Sequence, residues 1–411
     1  MVRGRRAIQS RPHTRSKRST TAIPDKPLPR GLILSRLRQA RSEDWTFGEG
    51  RIFGSMCTEP LPLAREASNL FPTANLGNPG LCPGTSRLEE EVVAALLDLY
   101  HAPTFGAGGY LVTGGTEANI TALWIARNVS GGNEVVLPRS AHFSVVKAMD
   151  MLSLKPIWIP VGSDGRMDVS AARRSVGKRT AAIVGVAGST ELGAVDPIEE
   201  LSEIALAKGL HLHVDAAFGG FVLPFLKETG REEIPFDFAL KGVTSLASDP
   251  HKMGMAPLPS GVLLLRRVEQ LQAIMVASPY LSAPLASSLL GTRPSRNVSA
   301  TYAAMMSLGR EGYSRNVRKV LELTKRLIDG GVALGLEPVI PPVLNIVAFR
   351  HSNPIRIQSE MLKLGWDVSA MEEPPALRFV VMPHVTERTV ALLLKDLAKV
   401  LYGDPNLSTM I

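Results

Sequence analysis

Cysteine is nearly absent from this 411-residue chain, with Cys57 and Cys82 its two examples. Two thiols supply neither a spaced metal motif nor a disulfide framework, so both are expected to pack in a reducing cytosol, and no metal site is expected. No stretch approaches the ~18 to 20 continuous apolar residues that a membrane span needs. The Walker pattern ending in Gly-Lys-Ser/Thr is missing, and so is G-x-G-x-x-G, which removes two common nucleotide fingerprints. Beyond the first 44 residues net charge is missing as well. The formal +8 of the whole chain comes from 12 Lys/Arg against 3 Asp/Glu in residues 1–44, while the remainder carries 34 against 35. A neutral body argues against a nucleic-acid surface; only the leader has the charge for one.

That leader, residues 1–29, is rich in Arg, Ser, Thr and Pro without apolar periodicity and reads as a basic disordered tail. An organelle transit peptide, an electrostatic contact to nucleic acid or lipid, and a plain extension all fit such a composition. Residues 30–85 follow as a docking helix (apolar spacing from Leu32 to Arg41) and loops dense in Gly, Pro and Asn, notably Asn75 to Thr85. Residues 86–300 alternate helices with strands such as 134–138, 181–187 and 210–214, which predicts an α/β fold with a large, mostly parallel sheet and right-handed crossovers. Residues 301–411 read as a long helix, Thr301 to Leu334, and a small α/β domain with strands 346–349 and 377–382 and a closing helix from Arg388 to Leu401. At 45% apolar content such a chain has ample material for a core.

The chemistry concentrates at Ser248-Asp249-Pro250-His251-Lys252-Met253-Gly254. A lysine between a proline turn and small residues is poorly placed for a solvated helix face. A partly buried amine loses its proton more readily and can form a Schiff base with an aldehyde; a surface-loop lysine is the plain alternative. Upstream, Leu111-Val112-Thr113-Gly114-Gly115-Thr116 turns from an apolar piece into an amphipathic helix. Free N–H groups and the positive end of a helix dipole meet there, which suits a single phosphate, with Gly114 and Gly115 allowing close approach and Thr116 adding a hydroxyl. His142 and Thr190 each follow a predicted strand, where open α/β sheets gather ligands. His142 can stack on an aromatic cofactor or simply begin a helix. Asp215 follows the strand 210–214 and precedes small Ala216 and Ala217. A carboxylate there needs a cation, and a protonated pyridine nitrogen is one; a helix cap is the other reading. In the later run Arg378-Phe379-Val380, the guanidinium suits bidentate pairing with an amino-acid carboxylate, or is a solvated strand arginine. Tyr280 lies in a loop, where its hydroxyl can act as a proton donor or the ring can simply pack.

Gly114 to Asn119, Ser140 to Ser144, Thr190 to Pro197, His213 to Gly220 and Asp249 to Gly254 occur in the order seen in group II pyridoxal-phosphate decarboxylases. The chain resembles the archaeal L-tyrosine/L-aspartate decarboxylase family, from about Gly31 to Tyr402, with Ser189 where that family often has Thr. The resemblance implies fold type I, the aspartate-aminotransferase-like arrangement of a large cofactor domain and a smaller C-terminal α/β domain. It implies pyridoxal 5'-phosphate attached to Lys252, its phosphate held by Gly115, Thr116 and His251 with Gly114 also at the cofactor, His142 stacked over the ring, Asp215 paired with the ring nitrogen, Ala217 beneath the ring and Thr190 near it. Arg378 and Asn75 would meet substrate. The segment with Thr292 resembles one that reaches a neighbouring subunit's cofactor, which implies a homodimer with interfacial sites. The implied reaction is decarboxylation of L-aspartate to β-alanine, feeding coenzyme A, or of L-tyrosine to tyramine, feeding methanofuran. Glutamate decarboxylation and an aldehyde lyase are the enzymatic alternatives, and nucleic-acid association through the tail is the non-enzymatic one.

Overall fold

The computed structural model describes residues 23–283 and 285–403. The expected disordered tail therefore lies outside the described residues as far as residue 22. The described residues form two compact units, one ending at Thr46 and the other beginning at Phe47. Within the first unit, α1 (Arg30–Ser42) matches the helix predicted from apolar spacing, and its Leu32, Ile33 and Leu37 are exposed.

In the second unit, α2 (Pro62–Leu70) and α3 (Pro83–Leu99) both begin with proline, whose missing N–H costs nothing at a helix start. The chain then alternates: β1 (Gly108–Val112), α4 (Gly115–Ser130), β2 (Glu134–Pro138), α5 (Phe143–Leu152), β3 (Lys155–Ile159), α6 (Val169–Ser175), β4 (Thr180–Val186), α7 (Ile198–Lys208), β5 (His211–Asp215), β6 (Val243–Ser248) and β7 (Gly261–Leu265). These strands form one sheet in the order β1-β7-β6-β5-β4-β2-β3. Pairings from β3 through β6 are parallel, and only β7 runs against its neighbours. Every residue of β4, β5 and β7 is buried, as expected for strands covered on both faces.

A short pair, β8 (Val276–Ala277) and β9 (Leu285–Ala286), precedes α8 (Arg296–Ala333). This helix begins five residues before the predicted Thr301 and is kinked at Gly309, whose φ of 56° a residue with a side chain rarely adopts. Then come β10 (Ile346–Arg350), α9 (Pro354–Lys363), β11 (Ser369–Glu372), β12 (Pro375–Val380) and α10 (Glu387–Tyr402). The last three strands pair antiparallel in the order β10-β12-β11. Phe53 joins this sheet to the segment ahead of α2: its N–H donates to Asp367 O at 2.7 Å, its carbonyl accepts from Val380 N at 2.7 Å, and its ring is buried near Trp366 and Phe379. Among the described residues no helix is long and apolar enough to cross a membrane.

Because β1, β2, β4, β5 and β6 all point the same way, the loops after them emerge at one edge of the sheet. The reversal from β6 into β7 puts residues 249–260 at that edge.

Candidate active site

A cavity of about 340 Å³ opens along this edge, and its lining includes Gly114, Gly115, Thr116, His142, Thr190, Asp215, Ala217, His251 and Lys252. Five separate strand ends thus deliver nine of the sequence-predicted residues to one place. Gly114, at φ 151°, is the N-cap of α4, and Gly115 and Thr116 form the helix's first positions. A Cβ on Gly115 would lie 3.1 Å from both Ala217 Cβ and Asp249 Oδ2, so glycine keeps the helix start open. Glu117, in the same turn, accepts from the N–H and hydroxyl of Thr113, each at 2.7 Å, which fixes the entry to the turn. An anion would find a helix N-terminus and a hydroxyl at this point.

Lys252 Nζ stands 3.2 Å from Asp249 Oδ2, and both side chains are largely buried. Asp249 Oδ1 has no hydrogen-bond partner among the described residues. His251 Nδ1 donates to the carbonyl of Ser260, while Nε2 lies 3.7 Å from Asp249 Oδ2. Burial lowers the pKa of His251, with Asp249 opposing.

Asp215 ends β5 and is 5% exposed. Its Oδ1 accepts from Ala217 N at 3.1 Å and its Oδ2 from Asn119 Nδ2 at 2.7 Å. His142 is the N-cap of α5, its Nδ1 accepting from Ser144 N, as the helix-start reading expects, and it also lines the cavity. Burial lowers its pKa, with Asp215 pulling the other way, so at neutral pH the ring is an uncharged aromatic face.

The remaining predicted residues lie elsewhere. Arg378 is buried in β12 beside the cavity, with Nε donating to Thr190 O at 2.6 Å and Nη1 to Gly54 O at 3.0 Å and Ser369 Oγ at 3.5 Å. Nη2 is buried and has no partner among the described residues, and Arg378 itself does not line the cavity, so the two outward nitrogens that bidentate pairing uses are not presented to it. Burial lowers the Arg378 pKa to about 10, although Glu191 and Asp367 nearby favour its charge. Asn75 lines a second cavity, and its Oδ1 accepts from Gly77 N and Arg293 N. Tyr280 is 85% exposed, and Thr292 is also exposed, next to Arg293, whose buried pair with Glu89 anchors the segment. Asn119 and Asp249 were assigned no role from sequence, although both lie inside the motifs; the signal available was that each is a polar residue beside an element that must be buried.

The donors fit pyridoxal phosphate: an open helix start for an anionic head, an amine within reach of a carboxylate, and a buried carboxylate opposite small residues. Comparison with known proteins agrees. The pyridoxal-dependent decarboxylase conserved domain matches residues 80–350. The protein named "Probable L-tyrosine/L-aspartate decarboxylase" of Methanothermobacter thermautotrophicus is 48% identical, over 86% of this chain and 98% of that one. The "L-aspartate/L-glutamate decarboxylase" of Pyrococcus horikoshii is 43% identical, over 91% and 98%. Among solved structures, the sphingosine-1-phosphate lyase of Burkholderia pseudomallei superposes with a TM-score of 0.86 at 28% identity, covering 94% of this chain and 93% of that one. With the lysine, the carboxylate and the glycine turn gathered at one sheet edge and a likeness that spans nearly the whole of its relatives, this chain belongs to the pyridoxal-dependent decarboxylase family.

Proposed function

We propose that this protein removes the α-carboxyl group of L-aspartate, giving β-alanine, and of L-tyrosine, giving tyramine. The observation that carries the reading is the convergence of Lys252, Asp215 and the start of α4 on one cavity, in a chain 48% identical to a relative named for those two substrates. When bound, pyridoxal phosphate supplies an electron sink for the pair left behind as carbon dioxide departs. Gly114, Gly115 and Thr116 would hold its phosphate, with His251 at the same end. Asp215 would keep a cation at the ring nitrogen, and Ala217 leaves room beside it. His142 would present a neutral face to the ring.

Lys252 is the covalent anchor in this reading and, as an ammonium held by Asp249, would return a proton to the reacting carbon. Arg378, which holds the cavity residue Thr190 through its carbonyl, would steer the substrate carboxylate. Tyr280 and Thr292, exposed on the single chain, support a homodimer in which each serves the partner's cavity; light scattering tests that assembly.

Assay of purified holoprotein with L-aspartate, L-tyrosine and L-glutamate, with separation of the amines formed, tests the substrate. Exclusive γ-aminobutyrate formation would move the assignment to glutamate. Cleavage of a phosphorylated amino alcohol to an aldehyde is the competing reading, favoured by the 28% identical lyase structure, and its appearance without amine products would replace decarboxylation.

A further inference from the structure

Behind Asp215 a row of polar side chains runs through the otherwise apolar middle of the sheet. Asn119 Nδ2 donates to Asp215 Oδ2 at 2.7 Å and to Ser144 Oγ at 2.9 Å. Asn119 Oδ1 meets His213 Nε2 at 2.8 Å. His213 Nδ1 meets Ser245 Oγ at 2.8 Å, and that same oxygen meets His211 Nε2 at 2.7 Å. His213 and Ser245 sit directly opposite each other on β5 and β6. All six of these side chains (Asn119, Ser144, His211, His213, Asp215 and Ser245) are buried, on strands or helices whose other buried residues are mainly apolar.

The hydrogens in this row have one consistent arrangement. A carboxylate only accepts, so the Asn119 amide must turn its NH2 toward Asp215 and its oxygen toward His213. The oxygen then requires a proton on His213 Nε2. Burial pushes His213 down to about 4 and His211 to about 3, so each ring carries a single N–H at neutral pH. His213 Nδ1 is therefore an acceptor, and the Ser245 hydroxyl donates to it. Ser245 Oγ in turn accepts from His211 Nε2–H, which leaves His211 Nδ1 as the bare end of the row, the one ring nitrogen there without a partner.

We propose that His213 is a positioning residue for the Asp215 carboxylate, acting through Asn119, and that Ser245 and His211 lock it in the tautomer this requires. If the Asn119 amide rotated, its oxygen would face Asp215 Oδ2 at 2.7 Å, acceptor against acceptor, and the His213 N–H would lose its partner in a buried site. His213 makes that rotation costly, so Asp215 keeps its donor and its place. Through Ser144, which shares the Asn119 amide and contacts His142 Nδ1 at 2.8 Å, the same lock reaches the other side chain assigned to the cofactor ring. This role rests on Asp215 facing the cofactor's ring nitrogen, the reading proposed above.

The test compares holoenzyme of the wild type with His213→Leu, His213→Gln and Ser245→Ala, reconstituted with pyridoxal phosphate labelled with nitrogen-15 in the ring. Its readouts are kcat, KM, the nitrogen-15 shift of the ring and the melting temperature. In His213→Leu, kcat is expected to fall about 10- to 100-fold, as for loss of a buried hydrogen-bond partner, with KM changed by less than about threefold. The ring signal should move toward the unprotonated position, and His213→Gln, which retains a donor, should recover most of both. A folded His213→Leu enzyme with kcat and ring signal unchanged would overturn the proposal. Should His213→Leu fail to fold, Ser245→Ala decides: a partial shift of the ring signal supports the role and an unchanged one overturns it. A wild-type enzyme that binds no cofactor, or shows no protonated ring, would overturn the cofactor reading itself and this inference with it.

Discussion

Lys252 Nζ lies 3.2 Å from Asp249 Oδ2, three residues earlier on the same turn, and the second oxygen of that buried carboxylate has no partner among the described residues. An acceptor left bare in a protein interior is costly, so Asp249 is held for what it does to the lysine and to whatever enters the cavity. Asp249→Asn keeps the shape and removes the charge. Loss of a hydrogen bond to a charged group, about 1.5–3 kcal/mol, predicts a fall in kcat of roughly 10- to 100-fold with the melting temperature little changed. Steady-state kinetics beside a thermal melt checks it, and an unaltered kcat would contradict it.

Gly115 marks the proposed phosphate seat. Its replacement by alanine sets a methyl group 3.1 Å from Ala217 and Asp249. Overpacking of about 1–3 kcal/mol would then weaken pyridoxal phosphate binding roughly 5- to 100-fold, while helix propensity favours alanine and protects the fold. Fluorescence titration of the apo-protein measures the change; unchanged affinity would place the phosphate elsewhere.

For Arg378, the proposed role in steering the substrate carboxylate predicts a split between the kinetic constants. Arg378→Lys keeps the charge but loses the fork that binds Thr190 O and Gly54 O. The account expects KM for the amino acid to rise about tenfold or more, by the strength of a charge-assisted hydrogen bond, with kcat less affected. Equal KM values for the two proteins would show that the substrate carboxylate is bound by another group.

Acid should destabilise the protein in a defined window. His211 and His213 fall from an ordinary 6.5 to about 3 and about 4, so between pH 4 and 6.5 the unfolded chain binds two protons that the folded chain does not, and stability drops with pH. Asp196 opposes them: burial raises it from 3.8 to about 6, so the folded chain holds one extra proton between those values. From these three groups the net loss is about 1.4 kcal/mol per pH unit from pH 6 to 4. Urea unfolding across this range should show a slope shallower by a similar amount in His211→Gln; identical slopes would contradict the assignment.

Much of the site was legible because parallel sheets put chemistry at strand ends. His142, Thr190 and Asp215 were recognisable as polar residues directly after apolar runs, and Lys252 as an amine among small residues. The resemblance added roles to positions already singled out. Asn119 was not legible, because its partners Asp215 and His213 lie 96 and 94 positions away, and only sheet register and the placement of α4 bring them together. The start of α8 was missed for a similar reason: Ser295, just before it, is tied by its hydroxyl to Phe71 O and Ala74 O, a tertiary anchor that leaves no periodic trace. Tyr280 and Thr292 were chosen by local pattern and resemblance, and in the single chain neither meets the cavity.

The measurement that bears most directly on the account is the balance of carbon dioxide and amine produced by pyridoxal phosphate-loaded protein from L-aspartate and from L-tyrosine, with Lys252→Ala alongside. The account predicts equal amounts of carbon dioxide and of β-alanine or tyramine from the wild type, and neither from the variant. Undiminished release by Lys252→Ala, or no release from any amino acid by protein that has bound the cofactor, would contradict it.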